Sequence, residues 1–138
     1  MPKSKEFTVR LEDRPGTLGK CCKALADRRV NIVAFSACPL QGQSSVRLIV
    51  DNPAECKNVL DSQKLKYTES DVAHTTLPNR VGELARAASK LGDTNININY
   101  CYSGIDPTSN KAIVFFAVSD IERALSILEE MAKAAYYD

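Results

Sequence analysis

One short signature occurs twice in this chain, half its length apart: Leu11-Glu12-Asp13-Arg14-Pro15-Gly16-Thr17-Leu18, then Leu77-Pro78-Asn79-Arg80-Val81-Gly82-Glu83-Leu84. An offset of 66 residues sets Asp13 on Asn79, Arg14 on Arg80, Gly16 on Gly82, Leu18 on Leu84 and Leu25 on Leu91. Further on, Asn31-Ile32 recurs as Asn95-Ile96, and a strand ending at Val50 recurs as one ending at Val118, with small changes of offset that mark loop insertions. A period of roughly 65 residues exceeds the 20 to 50 of solenoid repeats and suits two copies of one small domain. The expected domains are 1–70 and 71–138. Each alone is marginal, because small domains bury proportionally less surface, so the halves are expected to pack on each other.

The pattern within each half specifies its elements. Phe7, Val9 and Leu11 alternate with Thr8 and Arg10, the period of a strand with one buried face. Leu18, Cys21 or Cys22, and Leu25 then recur at helical spacing, followed by strands over Ile32–Cys38 and Val46–Val50. Asn52-Pro53-Ala54-Glu55 reads as a helix start, with Asn52 accepting from an exposed amide and Pro53 at the first helical position. Leu65–Ser70 is a fourth strand. The order β-α-β-β-α-β is the ferredoxin-like split βαβ arrangement. The second half repeats it with a strand Val72–Leu77, a helix Gly82–Leu91, strands Asn95–Tyr102 and Ala112–Val118, and a helix from Ser119 whose capping box is Ser119 with Glu122. Only Tyr136-Tyr137-Asp138 remain after Ala135, so the second copy is expected to lack its final strand.

Composition narrows the function. Eighteen basic against seventeen acidic residues give no basic excess for nucleic acid. Five cysteines, with no C-x-x-C spacing and with Cys21 and Cys22 adjacent, form neither a disulfide framework nor a zinc site, which suggests reduced thiols and a cytoplasmic protein. No apolar run approaches the roughly 20 residues of a bilayer span, and the N-terminus has no apolar leader, so a soluble, unprocessed protein with no membrane partner is expected. His74 is the sole histidine and has no ligand or nucleophile at useful spacing; it reads as structural. No cofactor, metal or catalytic group is expected, and the protein is not read as an enzyme.

The loop Asp13-Arg14-Pro15-Gly16-x-Leu18 after a strand, with Asn31-Ile32 opening the next, resembles an ACT domain, and Asn79-Arg80-Val81-Gly82-x-Leu84 with Asn95-Ile96 resembles a second. The two cover nearly the whole chain, as in stand-alone tandem ACT proteins. The resemblance implies an α+β fold of two ferredoxin-like βαββαβ domains side by side, an antiparallel sheet with helices on one face. It also implies a non-catalytic, allosteric regulator that binds a small effector, usually an amino acid, between the two domains. Ligand-binding residues would then be Asp13, Arg14, Pro15, Gly16, Thr17, Leu18, Asn31 and Ile32, with Asn79, Arg80, Val81, Gly82, Glu83, Leu84, Asn95 and Ile96 in the second copy.

The chemistry of such a loop is readable from its residues. Glycine lets backbone approach a ligand, and the first turn of the next helix presents unpaired N–H groups and a positive dipole end, which suit an α-carboxylate. Asn79 donates and accepts, whereas Asp13 only accepts and repels a carboxylate, so the second loop is the favoured site. Leu11 and Leu77 stand where serine-binding relatives carry a histidine, and Val81 replaces the usual proline. Asn95, Asn97 and Asn99 alternate with Ile96, Ile98 and Tyr100, so three amides share one strand face, with Asn95 the best ligand candidate among them. The strand Ile113–Val118 is apolar on both faces, which calls for a cover such as a second copy of the chain in a homodimer. The partner is a target enzyme or regulator. The competing function is a protein-interaction scaffold with empty loops.

Overall fold

The structure, a computed structural model, describes residues 2–137 and the side-chain surroundings of residues 2–134. Its elements run β1 Lys3–Glu12, α1 Thr17–Asp27, β2 Ile32–Leu40, β3 Gln43–Val50, α2 Pro53–Ser62, β4 Lys66–Leu77, α3 Glu83–Asp93, β5 Ile98–Ile105, β6 Ala112–Val118 and α4 Ile121–Tyr137. Two compact units result. The first is Lys5–Ser70; the second takes Asp71 onward together with Pro2–Ser4.

In the first unit β3 pairs antiparallel with β1, Phe7 opposite Leu48, and with β2 on its other side. Because strand side chains alternate, Phe7, Val9 and Leu11 point to one face. There they meet Cys21 and Leu25 of α1, Val46, Leu48 and Val50 of β3, and Cys56, Val59 and Leu60 of α2, all in one buried cluster. Each fully buried aliphatic or aromatic side chain of that size contributes roughly 1.5–3 kcal/mol. Both helices therefore cover the same sheet face. The opening of β4 lies beside β1: the Tyr67 ring sits 5.9 Å from Phe7, and Lys5 Nζ lies 3.7 Å from the Glu69 carboxylate.

The second unit repeats this plan. β6 pairs antiparallel with the later part of β4, Ala73 opposite Phe116, and with β5. α3 and α4 cover one face through Ala87, Leu91, Ala124, Leu125, Leu128 and Met131. On the other face Phe115 lies edge-on to His74 and stacks with Tyr102, which stacks in turn with Tyr100, so these tyrosines pack on aromatic neighbours.

Among the described residues no strand follows α4, and the start of the chain lies beside β4. The His74 amide donates to the Pro2 carbonyl at 2.8 Å, and a hydrogen bond of 2.7 Å joins Ser4 Oγ to His74 Nδ1. Pro2–Ser4 thus do for the second unit what Lys66–Ser70 do for the first.

Three local expectations are corrected. The strands expected at Leu65–Ser70 and Val72–Leu77 are one strand, because no Gly, Pro or Asn between Lys66 and Leu77 turns the chain. β5 starts at Ile98 rather than Asn95, which has φ 62° and belongs to the turn before it. α4 is capped by Asp120, whose carboxylate accepts from the Arg123 amide at 3.2 Å, while the Ser119 hydroxyl accepts from the Asn97 amide at 3.0 Å.

Candidate functional site

The two signature loops share one backbone path. The Arg14 amide donates to the Glu12 carbonyl at 3.0 Å and the Arg80 amide to that of Pro78 at 2.8 Å; the first helical bonds run from Lys20 to Gly16 and from Arg86 to Gly82. Gly16 and Gly82 hold φ of 91° and 88°, a left-handed region that costs a side-chain-bearing residue roughly 1–2 kcal/mol. No side chain caps α1 or α3, so the first-turn amides and the positive helix ends stay open to an anion.

Side chains make the loops chemically different. In the first, the Thr17 hydroxyl donates to the Glu12 and Arg14 carbonyls at 2.7 and 3.2 Å and ties the loop down. In the second, Glu83 stands in its place, and its carboxylate, only 12% exposed, takes Arg80 at 3.0 Å and Arg86 at 3.4 Å. The chain's own carboxylate thereby engages both arginines of the second loop. Asn79 and Val81 are exposed beside it.

At the first loop there is a cleft of about 280 Å³. Its floor is apolar, with Leu11 and Cys21 each 4% exposed. Burial, reinforced by Cys22, pushes the Cys21 thiol up to about 11, so it is neutral near pH 7 and serves as floor rather than nucleophile. The walls come from three segments: Arg10, Glu12, Arg14, Thr17 and Lys20 around the loop, Gln43 at the start of β3, and Gln63, Lys64, Leu65 and Lys66 where α2 gives way to β4. Glu12, the one carboxylate among them, is bonded to Arg14. Among the described residues no carboxylate pairs with Arg10, Lys20, Lys64 or Lys66.

Of the residues expected at the first site, Arg14 and Thr17 line the cleft, while Asp13, Pro15 and Gly16 are exposed on the loop beside it and Leu18 is exposed on the first turn of α1. Asn31 and Ile32 are elsewhere. They follow α1, whose 11 residues span about 16 Å, so within the unit they lie a helix length from Gly16. The Asn31 amide donates to the Asp51 carboxylate at 2.9 Å, and the Asp51 amide to the Asn31 carbonyl at 3.1 Å. The structural counterpart of Asn31 is Asn97, whose amide and carbonyl bond Ser119 at 3.0 Å each, not Asn95.

Asn95 matches Arg29 instead. Both have positive φ (62° and 59°), and both amides reach back 2.9 Å into the end of the preceding helix, to Gly92 and Ala26. Ile96 and Val30 follow as buried residues. Asn95 is a helix stop, a position that asparagine tolerates well. Sequence reasoning missed Arg10, Lys20, Gln43, Gln63, Lys64 and Lys66. The available signal was topology: the final strand of a βαββαβ unit starts where its first strand ends, which brings Lys64–Lys66 to Arg10–Glu12.

Comparison with known proteins agrees with this geometry. The model of the family described as ACT domain pair matches residues 3–136. Among solved structures, protein BT0572 from Bacteroides thetaiotaomicron superposes with a TM-score of 0.84 at 24% identity, over 95% of this chain and 90% of that one. The regulatory subunit of aspartate kinase from Thermus thermophilus, in a ligand-free form, gives 0.63 at 17% identity over 94% and 91%. The corresponding subunit from Thermus flavus gives 0.62 at 16% over 94% and 92%. At these identities the likeness is one of fold. No match was found among curated proteins. Two βαββ-type repeats at an offset of 66 residues, two glycine loops of one geometry and a family match from residue 3 to residue 136 converge: the chain belongs to the ACT domain pair family.

Proposed function

We propose that this protein is a non-catalytic regulator, two ACT domains at 1–70 and 71–138, that binds a small amino-acid effector at its first loop and acts on an enzyme or regulator. The cleft beside α1 carries the reading: an open helix end, unpaired cations and an apolar floor meet there, whereas the second loop holds its own carboxylate. An effector's α-carboxylate fits the α1 amides and Arg14, and its ammonium fits the acceptor side of the loop, where Glu12 and Asp13 stand. The site preference is thus the reverse of the one drawn from Asn79 alone. Regulation requires the effector to favour one of two states of the protein. The five free thiols support a reducing, cytoplasmic setting.

Thermal unfolding against the twenty amino acids tests this, since a ligand at about 100 times its Kd adds about 2.7 kcal/mol. At least one should raise the midpoint. Thr17→Glu, which installs in the first loop the carboxylate of the second, should abolish that shift. A shift that survives Thr17→Glu and disappears in Asn79→Ala would move the site to the second loop; no shift at all would favour the interaction scaffold.

A further inference from the structure

Resting on that reading of the first loop, we infer that the effector is doubly anionic: one negative group sits at the α1 end of the cleft, and a second is held across it by Lys64 and Lys66. The antiparallel approach of β4 to β1 builds this wall. Tyr67 meets Phe7 and Glu69 meets Lys5, so the chain just before them runs toward Arg10. Leu65 packs on the core and fixes the two lysines that flank it at the rim.

The charge balance is local. The chain as a whole carries a formal charge of only +1, yet the cleft gathers five cations and one carboxylate, and that carboxylate is already bonded to Arg14. Unpaired like charges around a small concavity repel one another, and an entering anion relieves that repulsion while gaining the field they sum to. A single carboxylate at the helix end leaves the lysine wall unanswered; a second negative group at the other end of the molecule answers it. The volume of about 280 Å³ lies at the small end of ligand sites, which suits a metabolite of a few carbons rather than a nucleotide. A dicarboxylic amino acid and a phosphorylated small amino acid share this chemistry.

Calorimetric titration of the full chain at fixed ionic strength separates the possibilities, using L-aspartate, L-glutamate, their amides L-asparagine and L-glutamine, O-phospho-L-serine, succinate and inorganic phosphate. At least one acidic amino acid should bind tenfold or more tightly than its neutral counterpart, and which of the carboxylate and phosphate probes binds tighter identifies the second group. In the double variant Lys64→Asn, Lys66→Gln the preference should fall to within about threefold while the neutral compound binds as before. Asparagine is chosen at position 64 because it accommodates the φ of 56° found there, so an unchanged melting midpoint should accompany the loss. Equal binding of an acid and its amide, or a preference untouched by the double variant, would overturn the inference and leave the amino-acid reading standing. Succinate binding without any amino acid would uphold the two-anion inference and overturn that reading. Inorganic phosphate as tight as the best two-anion probe would reduce the cleft to a bare basic patch, and no binding by any probe would overturn both.

Discussion

Three of the five thiols, Cys21, Cys22 and Cys56, are pushed up by burial, Cys21 to about 11 and Cys56 to about 12, while Cys38 and Cys101 are exposed. Unfolded thiols ionise near 9, so as pH rises from about 9 toward 11 the unfolded chain loses protons that the folded one keeps, and stability falls over that window. Melting followed from pH 8 to 11 should therefore drop steeply above 9, and Cys21→Ala with Cys56→Ala should flatten that slope; an unchanged slope would contradict the assignment. Alkylation at pH 8 should label Cys38 and Cys101 first. At this scale the sequence was partly legible. Helical spacing left Cys21 and Cys22 equivalent because they are adjacent, and only packing against β1 and β3 selects Cys21. The spacing of three residues from Arg80 to Glu83 and again to Arg86 was visible, but its consequence, a loop filled by its own carboxylate, depended on side chains closing in space. Weighing Asn79 against Asp13 alone favours the second loop, whereas the cleft walls favour the first.

Helix starts show where local chemistry suffices. Asn52 accepts from the Glu55 amide at 3.2 Å, as Asn-Pro-x-Glu predicts, although the Glu55 carboxylate turns to Arg28 at 2.9 Å. Before α4 two adjacent residues could cap, and the alignment of strand β6 with Asn97 decides for Asp120 by engaging Ser119 elsewhere. Asp120→Ala should cost about 1 kcal/mol in chemical denaturation. Glu122→Ala should stay within about 0.5 kcal/mol, as for an ordinary surface change. The reverse order would restore the Ser119–Glu122 box. β6 was read to the residue, Ala112–Val118, because Asn110 and Asp120 punctuate an unbroken apolar run; the continuity of β4 was hidden because the boundary between the two copies was drawn at Asp71, which lies inside the strand. The cationic cleft was illegible for a different reason: its walls come from segments up to 56 positions apart, from Arg10 to Lys66, and no local period encodes such a meeting.

For the molecule as a whole, the repeat in the sequence and the folded unit are displaced by a few residues, because β1 and β4 each contribute to both units. A fragment of residues 71–138 lacks Pro2–Ser4 and bares the edge of β4, which invites association with other chains. Size-exclusion chromatography should show that fragment aggregating. A chain missing only residues 1–4 should lose roughly 1–3 kcal/mol through the bonds at His74, observable as a lower midpoint. A monomeric, cooperatively melting fragment would refute this view. No helix among the described residues is long and apolar enough to cross a membrane, and the near-neutral total charge leaves the first loop's cleft as a concentrated basic feature of its unit. The borrowed strand also bears on ancestry. Once a duplicated gene has handed the opening residues of one copy to the other, natural exchange or loss of a single copy damages both, and substitutions at Ser4 are selected against the background of His74, not of their own repeat.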